Sequence, residues 1–201
     1  MNETLLVNDN DVLISNSQLI KDELATKILN DIINNVEYED YNNLEKNKTT
    51  CTINGEVYID ETRRKCETYT TKYNIYSREL NKLFNNNKYK FSNFELLRYN
   101  ENGFFKIHRD KKHNDYVNYE HTHSILLYPP NNLSPYEEGY LIINENKKEK
   151  IINPSSFTDW TFVIFNINTP HEASPVKNGT KYVFKGSIYT TLLTDEDTLE
   201  D

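Results

Sequence analysis

The sequence predicts an α+β fold that is mainly β, with helices leading into an antiparallel sandwich or barrel. Two observations predict it. Apolar residues recur at helical spacing early in the chain, and from Phe91 onward they fall into short runs separated by turn residues. The length bounds the answer: 201 residues suit one domain with one sizeable core.

The elements follow in order. The first sixteen residues lack helical periodicity and read as an extended lead-in strand. Between Ser17 and Val36, Ile20, Leu24, Ile28 and Ile32 recur every four residues, with Leu29 and Ile33 beside them. That is one apolar stripe of an amphipathic helix. Residues 38–50 are polar and loop-like, and Val57-Tyr58-Ile59 reads as a short strand. A second amphipathic stretch puts Tyr73, Tyr76, Leu80, Leu83 and Phe84 on one side and stops at Asn85-Asn86-Asn87. Residues 17–90 are thus the helical support and 91–192 the β core. Its runs are 94–99, 104–108, 124–128, 140–143, 161–165 and 182–191, parted by loops such as Pro129-Pro130-Asn131-Asn132 and Asn178-Gly179. Residues 193–201 form an acidic tail. No internal repeat occurs, so 1–192 is read as a single domain.

Composition narrows the function. Fifteen Tyr and nine Phe, against one Trp and one Met, make aromatics the main filling of the core. The formal charge of −8 is concentrated: the tail from Asp195 holds five of 31 acids, and the rest sets 26 acids against 23 bases. A mildly acidic folded part argues against nucleic acid as a partner, because phosphate contacts need a net basic face. The basic pairs Lys111-Lys112 and Lys147-Lys148 do not reverse that balance. Cys51 and Cys66, with no CxxC spacing, exclude a cysteine-only zinc site and a thioredoxin-type centre, and both read as unpaired thiols. The N-terminus has no basic stretch followed by an apolar one, and no apolar run reaches membrane-spanning length. The expected location is cytoplasmic.

All five histidines, His108, His113, His121, His123 and His171, lie in the β-rich half. His108-Arg109-Asp110 ends the run Gly103-Phe104-Phe105-Lys106-Ile107. Residues i and i+2 of a strand share a face, so His108 and Asp110 can aim an imidazole and a carboxylate at one point while Arg109 faces away. Two His and one carboxylate leave three adjacent positions open on a metal, which suits an Fe(II) that must bind both a cosubstrate and O2. His171 is the natural third ligand, in Thr169-Pro170-His171-Glu172 after the buried-looking run Phe162-Val163-Ile164-Phe165. His121-Thr122-His123 has the same spacing but reads as the start of a strand near the pocket rim. His113, among Lys111, Lys112 and Asn114, reads as an exposed loop residue. Trp160-Thr161 reads as core packing.

The stretch Leu97-Arg98-Tyr99-Asn100-Glu101-Asn102-Gly103-Phe104-Phe105-Lys106-Ile107-His108-Arg109-Asp110 resembles the entry to the metal site of the prolyl 4-hydroxylase-like Fe(II)/2-oxoglutarate oxygenases. Pro170-His171-Glu172-Ala173-Ser174-Pro175-Val176-Lys177-Asn178-Gly179-Thr180-Lys181-Tyr182-Val183 resembles that family's second signature. Glu138-Gly139-Tyr140-Leu141 stands where the family has a Gly-Gly-x-Leu turn, with the first Gly missing. The resemblance covers residues 91–191. It implies a double-stranded β-helix core, jelly-roll and cupin-like, with the N-terminal helices as support. It implies Fe(II), 2-oxoglutarate and O2, with ascorbate as an accessory reductant. It implies His108, Asp110 and His171 as metal ligands. Lys181, ten positions after the distal His, is then the residue that binds the far carboxylate of 2-oxoglutarate. Tyr99 and Tyr128 match tyrosines that contact 2-oxoglutarate in related prolyl hydroxylases. A cation at Lys181 also makes physical sense, because a carboxylate in a partly dry pocket needs one. Lys185, four residues on and on the same side of the strand, is the rival anchor.

The activity implied by the resemblance is hydroxylation of a substrate C–H bond with release of succinate and CO2. A protein or peptide side chain, proline first, is the implied substrate. The alternatives are the same chemistry on a small molecule or nucleobase, and a non-catalytic cupin-like binding module. No Arg follows His171, where nucleobase demethylases carry paired arginines, and this weighs against a nucleobase. Retention of His108, Asp110, His171 and Lys181 together weighs against a lapsed module.

Overall fold

Strand pairing organises the chain. The computed structural model describes residues 13–16, 50–53, 56–59, 63–70, 89–92, 94–145 and 147–192. The two predicted amphipathic helices and the acidic tail lie outside the described residues. Among the described residues the strands are β1 (Leu13–Asn16), β2 (Thr50–Ile53), β3 (Glu56–Ile59), β4 (Arg64–Lys65), β5 (Glu67–Thr70), β6 (Tyr89–Phe91), β7 (Glu95–Tyr99) and β8 (Phe104–His108). After them come β9 (Tyr119–Tyr128), β10 (Tyr136–Glu138), β11 (Leu141–Glu145), β12 (Lys148–Ile152), β13 (Thr161–Asn166), β14 (His171–Ala173), β15 (Val176–Gly179) and β16 (Lys181–Thr191).

Two antiparallel sheets carry the fold. The larger runs β1-β13-β9-β16-β7-β5, with β6 also on β16, and the smaller runs β12-β11-β14-β8-β4. Strands consecutive in the chain are mostly not neighbours: β7 pairs β16, and β8 pairs β14. The chain thus winds alternately through two facing sheets from β7 to β16, which is a double-stranded β-helix, or jelly roll. Apolar residues of both sheets meet between them, Leu97, Leu126, Val163, Phe165 and Val183 from the larger and Leu141, Ile143 and Ile152 from the smaller. Period-two alternation explains the choice, since 97 and 99 on β7 and 126 and 128 on β9 all point inward. Trp160 is buried in the core, as its sequence context predicts.

The predicted runs recur as β7, β8, β9, β11, β13 and β16, the lead-in as β1 and Val57-Tyr58-Ile59 within β3. β9 begins at Tyr119, five residues before the apolar run that announces it, so His121 and His123 lie inside the strand. Eight strands were not foreseen: β2, β4 and β5 within the stretch read as helical support, β6 at its end, and β10, β12, β14 and β15 within the β core. β12 was hidden by its composition, because Lys148, Glu149 and Lys150 are exposed, and β10, β14 and β15 have three or four residues each.

The turn from β10 to β11 takes an unusual course. Glu138 and Gly139 both have positive φ, at 57° and 63°. The second is a glycine, and the first holds a side chain in a conformation that L-residues adopt at a cost. Its surface ion pair with Lys177, at 3.3 Å, offsets little of that. Glu138→Gly is therefore expected to stabilise the fold by about 1 kcal/mol, read as a higher midpoint in urea unfolding. A lowered midpoint would show the strain argument to be wrong.

Candidate metal centre and its pocket

β8 and β14 are neighbours, and their register sets His171 directly across from His108. The two ring centroids are 4.2 Å apart. Each ring is oriented through its Nδ1. That of His108 donates to the Lys106 carbonyl at 2.8 Å, and that of His171 to the Thr169 carbonyl at 3.0 Å. A carbonyl only accepts, so Nδ1 carries the proton in both rings and Nε2 presents a lone pair. Metal-binding histidines need that tautomer. Phe105 stacks on His108 with centroids 3.5 Å apart, and Phe165 lies 4.6 Å from His171.

Asp110, just past the end of β8, completes a triangle. Its Oδ1 is 4.0 Å from His108 Nε2 and its Oδ2 is 3.7 Å from His171 Nε2. One donor atom from each of the three residues fits within 4.8 Å of the others. The opposite sheet holds the carboxylate: Ser124 Oγ on β9 donates to Oδ2 and Lys185 Nζ on β16 donates to Oδ1, each at 2.5 Å. Arg109 turns away, its Nε donating to the Asn168 carbonyl at 2.8 Å.

The electrostatics favour a cation at the centre of the triangle. Burial works to raise the Asp110 carboxyl, but Lys185 and His171, with hydrogen bonds from Lys185 and Ser124, hold it below the ordinary carboxylate range. Burial, aided by neighbouring His171, brings His108 down to about 4. Burial lowers His171 as well, against the pull of Asp110. At neutral pH the cluster offers one carboxylate and two neutral imidazoles, a donor set that fits Fe(II). Among the described residues no other group of His, Cys, Asp and Glu has such spacing. His121 and His123 are buried in β9 and are not part of the triangle, and exposed His113 gives its backbone N–H to His121 Nδ1 at 3.2 Å.

The triangle borders a pocket of about 520 Å³, its open mouth included. Leu97, Leu126, Leu141 and Val183 make apolar walls. Lys181 lies at the buried end, 1% exposed, with Nζ donating to the Gly139 carbonyl at 2.7 Å. The ammonium sits 4.8 Å from the centre of the Tyr99 ring and 6.0 Å from that of Tyr128. Among the described residues no carboxylate pairs with it, and burial lowers it to about 7 against the pull of Cys66. Burial raises the Tyr99 and Tyr128 hydroxyls, so both stay protonated and able to donate. A buried ammonium without an internal anion is matched to a carboxylate brought by a ligand. Lys185 is placed differently: its side chain is 29% exposed and it pairs with Asp110 at the metal end.

Three further residues, Asp110's partner Ser124 and the pocket-lining Arg64 and Glu95, were not singled out in the sequence. Ser124 was legible in principle, since counting back by twos from Tyr128 along a strand reaches it. Arg64, on the two-residue β4, gave no signal. Its guanidinium lies 4.8 Å from the centre of the Phe105 ring and its Nε donates to Cys66 Sγ at 2.8 Å. Glu95 faces Lys185 across the β7–β16 ladder. Cys66 is a free thiol, as expected, and the Cys51 side chain lies outside what is described.

The chain matches the model of the 2OG-Fe(II) oxygenase superfamily over residues 94–189, the greater part of the β core. The protein is thus an oxygenase whose cofactor and cosubstrates are Fe(II), 2-oxoglutarate and O2. Among solved structures, a prolyl-4-hydroxylase from Pseudomonas putida is similar at 14% identity and a TM-score of 0.61, over 92% of this chain and 94% of that one. A prolyl hydroxylase from Trichoplax adhaerens, in complex with a hypoxia inducible factor oxygen degradation domain peptide fragment, is similar at 17% identity and a TM-score of 0.62, over 90% and 84%. The viral collagen prolyl hydroxylase of Paramecium Bursaria Chlorella virus-1 is similar at 14% identity and a TM-score of 0.52, over 90% and 96%. Identities this low establish a shared fold. No curated protein sequence matches the chain. Among the described residues no helix is long and apolar enough to cross a membrane.

The lowered Lys181 has a consequence for stability. Between its folded value of about 7 and its ordinary 10.5 the folded chain binds fewer protons than the unfolded one. Stability of the ligand-free protein should therefore rise with pH across that window. In Lys181→Met the rise should be smaller by that contribution. Urea unfolding of both proteins at about pH 7 and about pH 9 checks this; identical pH slopes would count against an uncompensated buried lysine.

Proposed function

We propose that the protein is an Fe(II)- and 2-oxoglutarate-dependent dioxygenase that hydroxylates a C–H bond of a protein or peptide side chain, proline first, releasing succinate and CO2. One observation carries the dioxygenase reading above the others. A fully buried ammonium, paired with no carboxylate among the described residues, and a two-histidine, one-carboxylate triangle border the same pocket. A dicarboxylate with a chelating keto-acid end matches both.

His108 and His171 would hold the iron through Nε2, and Asp110 through its carboxylate. Fe(II) bound there supplies the activation of O2 that is coupled to oxidative decarboxylation of 2-oxoglutarate. Lys181 neutralises the far carboxylate of the cosubstrate, with the Tyr99 and Tyr128 hydroxyls as hydrogen-bond donors beside it. The apolar walls exclude water and strengthen that ion pair. Ser124 and Lys185 orient Asp110. Ascorbate, as an accessory reductant, belongs to the same reading. Support for a peptide substrate comes from the fold shared with the Trichoplax enzyme, itself solved with a peptide.

Two measurements test the reading. His171→Ala should lose Fe(II) binding while circular dichroism still reports the β fold; undiminished iron affinity would remove His171 from the ligand set. Wild-type protein with Fe(II) and 2-oxoglutarate in air should form succinate without added substrate. Mass spectrometry of proline-containing peptides incubated in the same mixture should then show gains of one oxygen atom. Succinate without any modified peptide would leave the dioxygenase and remove the prolyl substrate.

A further inference from the structure

Lys185 has two carboxylates within its reach. Glu95 stands directly opposite it in the β7–β16 ladder, and both side chains line the pocket. Directly opposed residues of an antiparallel pair have Cβ atoms about 5 Å apart, so a lysine and a glutamate so placed are set to form a cross-strand ion pair. Here they do not form it. Lys185 Nζ donates instead to Asp110 Oδ1, at 2.5 Å, and Glu95 makes no hydrogen bond or ion pair with any described residue.

Burial decides between the two acceptors. The Asp110 side chain is 4% exposed, whereas Glu95 is half-buried at the pocket wall. A buried carboxylate loses most by going without a counter-charge, because water no longer screens it. The lysine therefore crosses to the facing sheet, and the pair within its own ladder stays open. A metal meets the same need of Asp110. A divalent cation held by His108, Asp110 and His171 brings two positive charges to that one carboxylate. Asp110 then no longer depends on Lys185, and the ion repels the ammonium. Ser124, the partner of Oδ2, carries no charge and meets no such repulsion. The displaced ammonium has an acceptor on the next strand. Rotation about the side-chain bonds of Lys185 brings it there, with the backbone still held in the ladder.

We propose that metal binding transfers Lys185 from Asp110 to Glu95, which makes Glu95 a positioning residue of the metal centre that acts through the lysine. The inference rests on the metal-binding reading of the triangle and needs neither the cosubstrate nor the substrate. Lys185 holds the Asp110 carboxylate in place until the metal arrives. Glu95 then receives the lysine, and so raises metal affinity without touching the metal.

The transfer is tested with oxygen excluded, in two ways. Fe(II) is titrated by calorimetry into wild type, Glu95→Gln and Glu95→Asp. Glutamine keeps the size of the side chain and removes its charge, so Glu95→Gln should bind Fe(II) about tenfold more weakly, as expected for the loss of a charged acceptor. Glu95→Asp, which keeps the charge, should recover most of that affinity. Crystal structures of the wild type, one with Fe(II) and one treated with a chelator, show the lysine itself. Lys185 Nζ should lie within hydrogen-bonding distance of Glu95 in the first and of Asp110 in the second. This comparison needs no variant, and it separates transfer from a long-range attraction between Glu95 and the metal, which would leave Lys185 on Asp110. Lys185 on Asp110 in both structures overturns the proposal. So does an Fe(II) affinity in Glu95→Gln equal to that of wild type, or a loss in Glu95→Asp as large as in Glu95→Gln. Failure of the wider reading looks different: a wild type that binds no Fe(II) removes the metal centre, and this proposal with it.

Discussion

The pairing of β8 with β14 is the constraint from which the rest of the pocket is built. It puts His171 opposite His108 within a hydrogen-bonded ladder, so two imidazoles converge on backbone that is held along its length. Orientation of the rings then needs only local means. In both cases the carbonyl two residues before the histidine accepts from Nδ1, and Nε2 is turned inward. Asp110 has no ladder of its own, because it lies past the end of β8. Ser124 and Lys185, both from the facing sheet, supply what the ladder does not. The candidate metal site is thus a product of sheet stacking as much as of one strand's spacing. Donors on each oxygen leave the carboxylate little freedom to rotate, and partners of this kind govern how well a ligand set binds its metal.

The same stacking imposes a cost at the other end of the pocket. Lys181 is among the largest fully buried side chains described, between Tyr99 on the next strand and the Gly139 carbonyl. One carbonyl and one aromatic face do not replace the hydration of an ammonium, which is why its proton is held so weakly. A residue optimised for stability would be apolar here. That the chain keeps a lysine at this depth is a local conflict of the kind expected where a site is built for a ligand.

Much of this was legible in the sequence, and the parts that were not share a physical reason. Strands with an apolar inner face, such as β9 and β13, announce themselves by alternation and by runs of Ile, Leu, Val and Phe. β12 does not, because four of its five side chains meet water and only Ile152 is buried. His108 and Asp110 were readable because both belong to one short segment with period two. Lys181 and Lys185 could not be told apart that way, since a period of two puts both on one face. What separates them is depth, which depends on the Gly139 turn above one and on Asp110 beside the other. Arg64 was invisible for a related reason. It reaches the pocket from a strand of two residues at a sheet edge, where no periodicity can form.

The turn at Glu138 and Gly139 bears on how a departure from a family's pattern should be weighed. The first glycine is missing, yet the backbone keeps positive φ at both positions. The two positions make different demands. A Cβ at Gly139 would lie 3.1 Å from Val176 Cγ2 and 3.3 Å from Lys181 Cδ, so a side chain there would press on the buried lysine itself. Glu138 is exposed, with its carboxylate out toward Lys177, and intrudes on nothing in the pocket. The first glycine serves backbone comfort, while the second also makes room for Lys181 beneath the carbonyl it donates to. Losing the first therefore costs stability alone, and the geometry that presents Gly139 to the ammonium survives its loss.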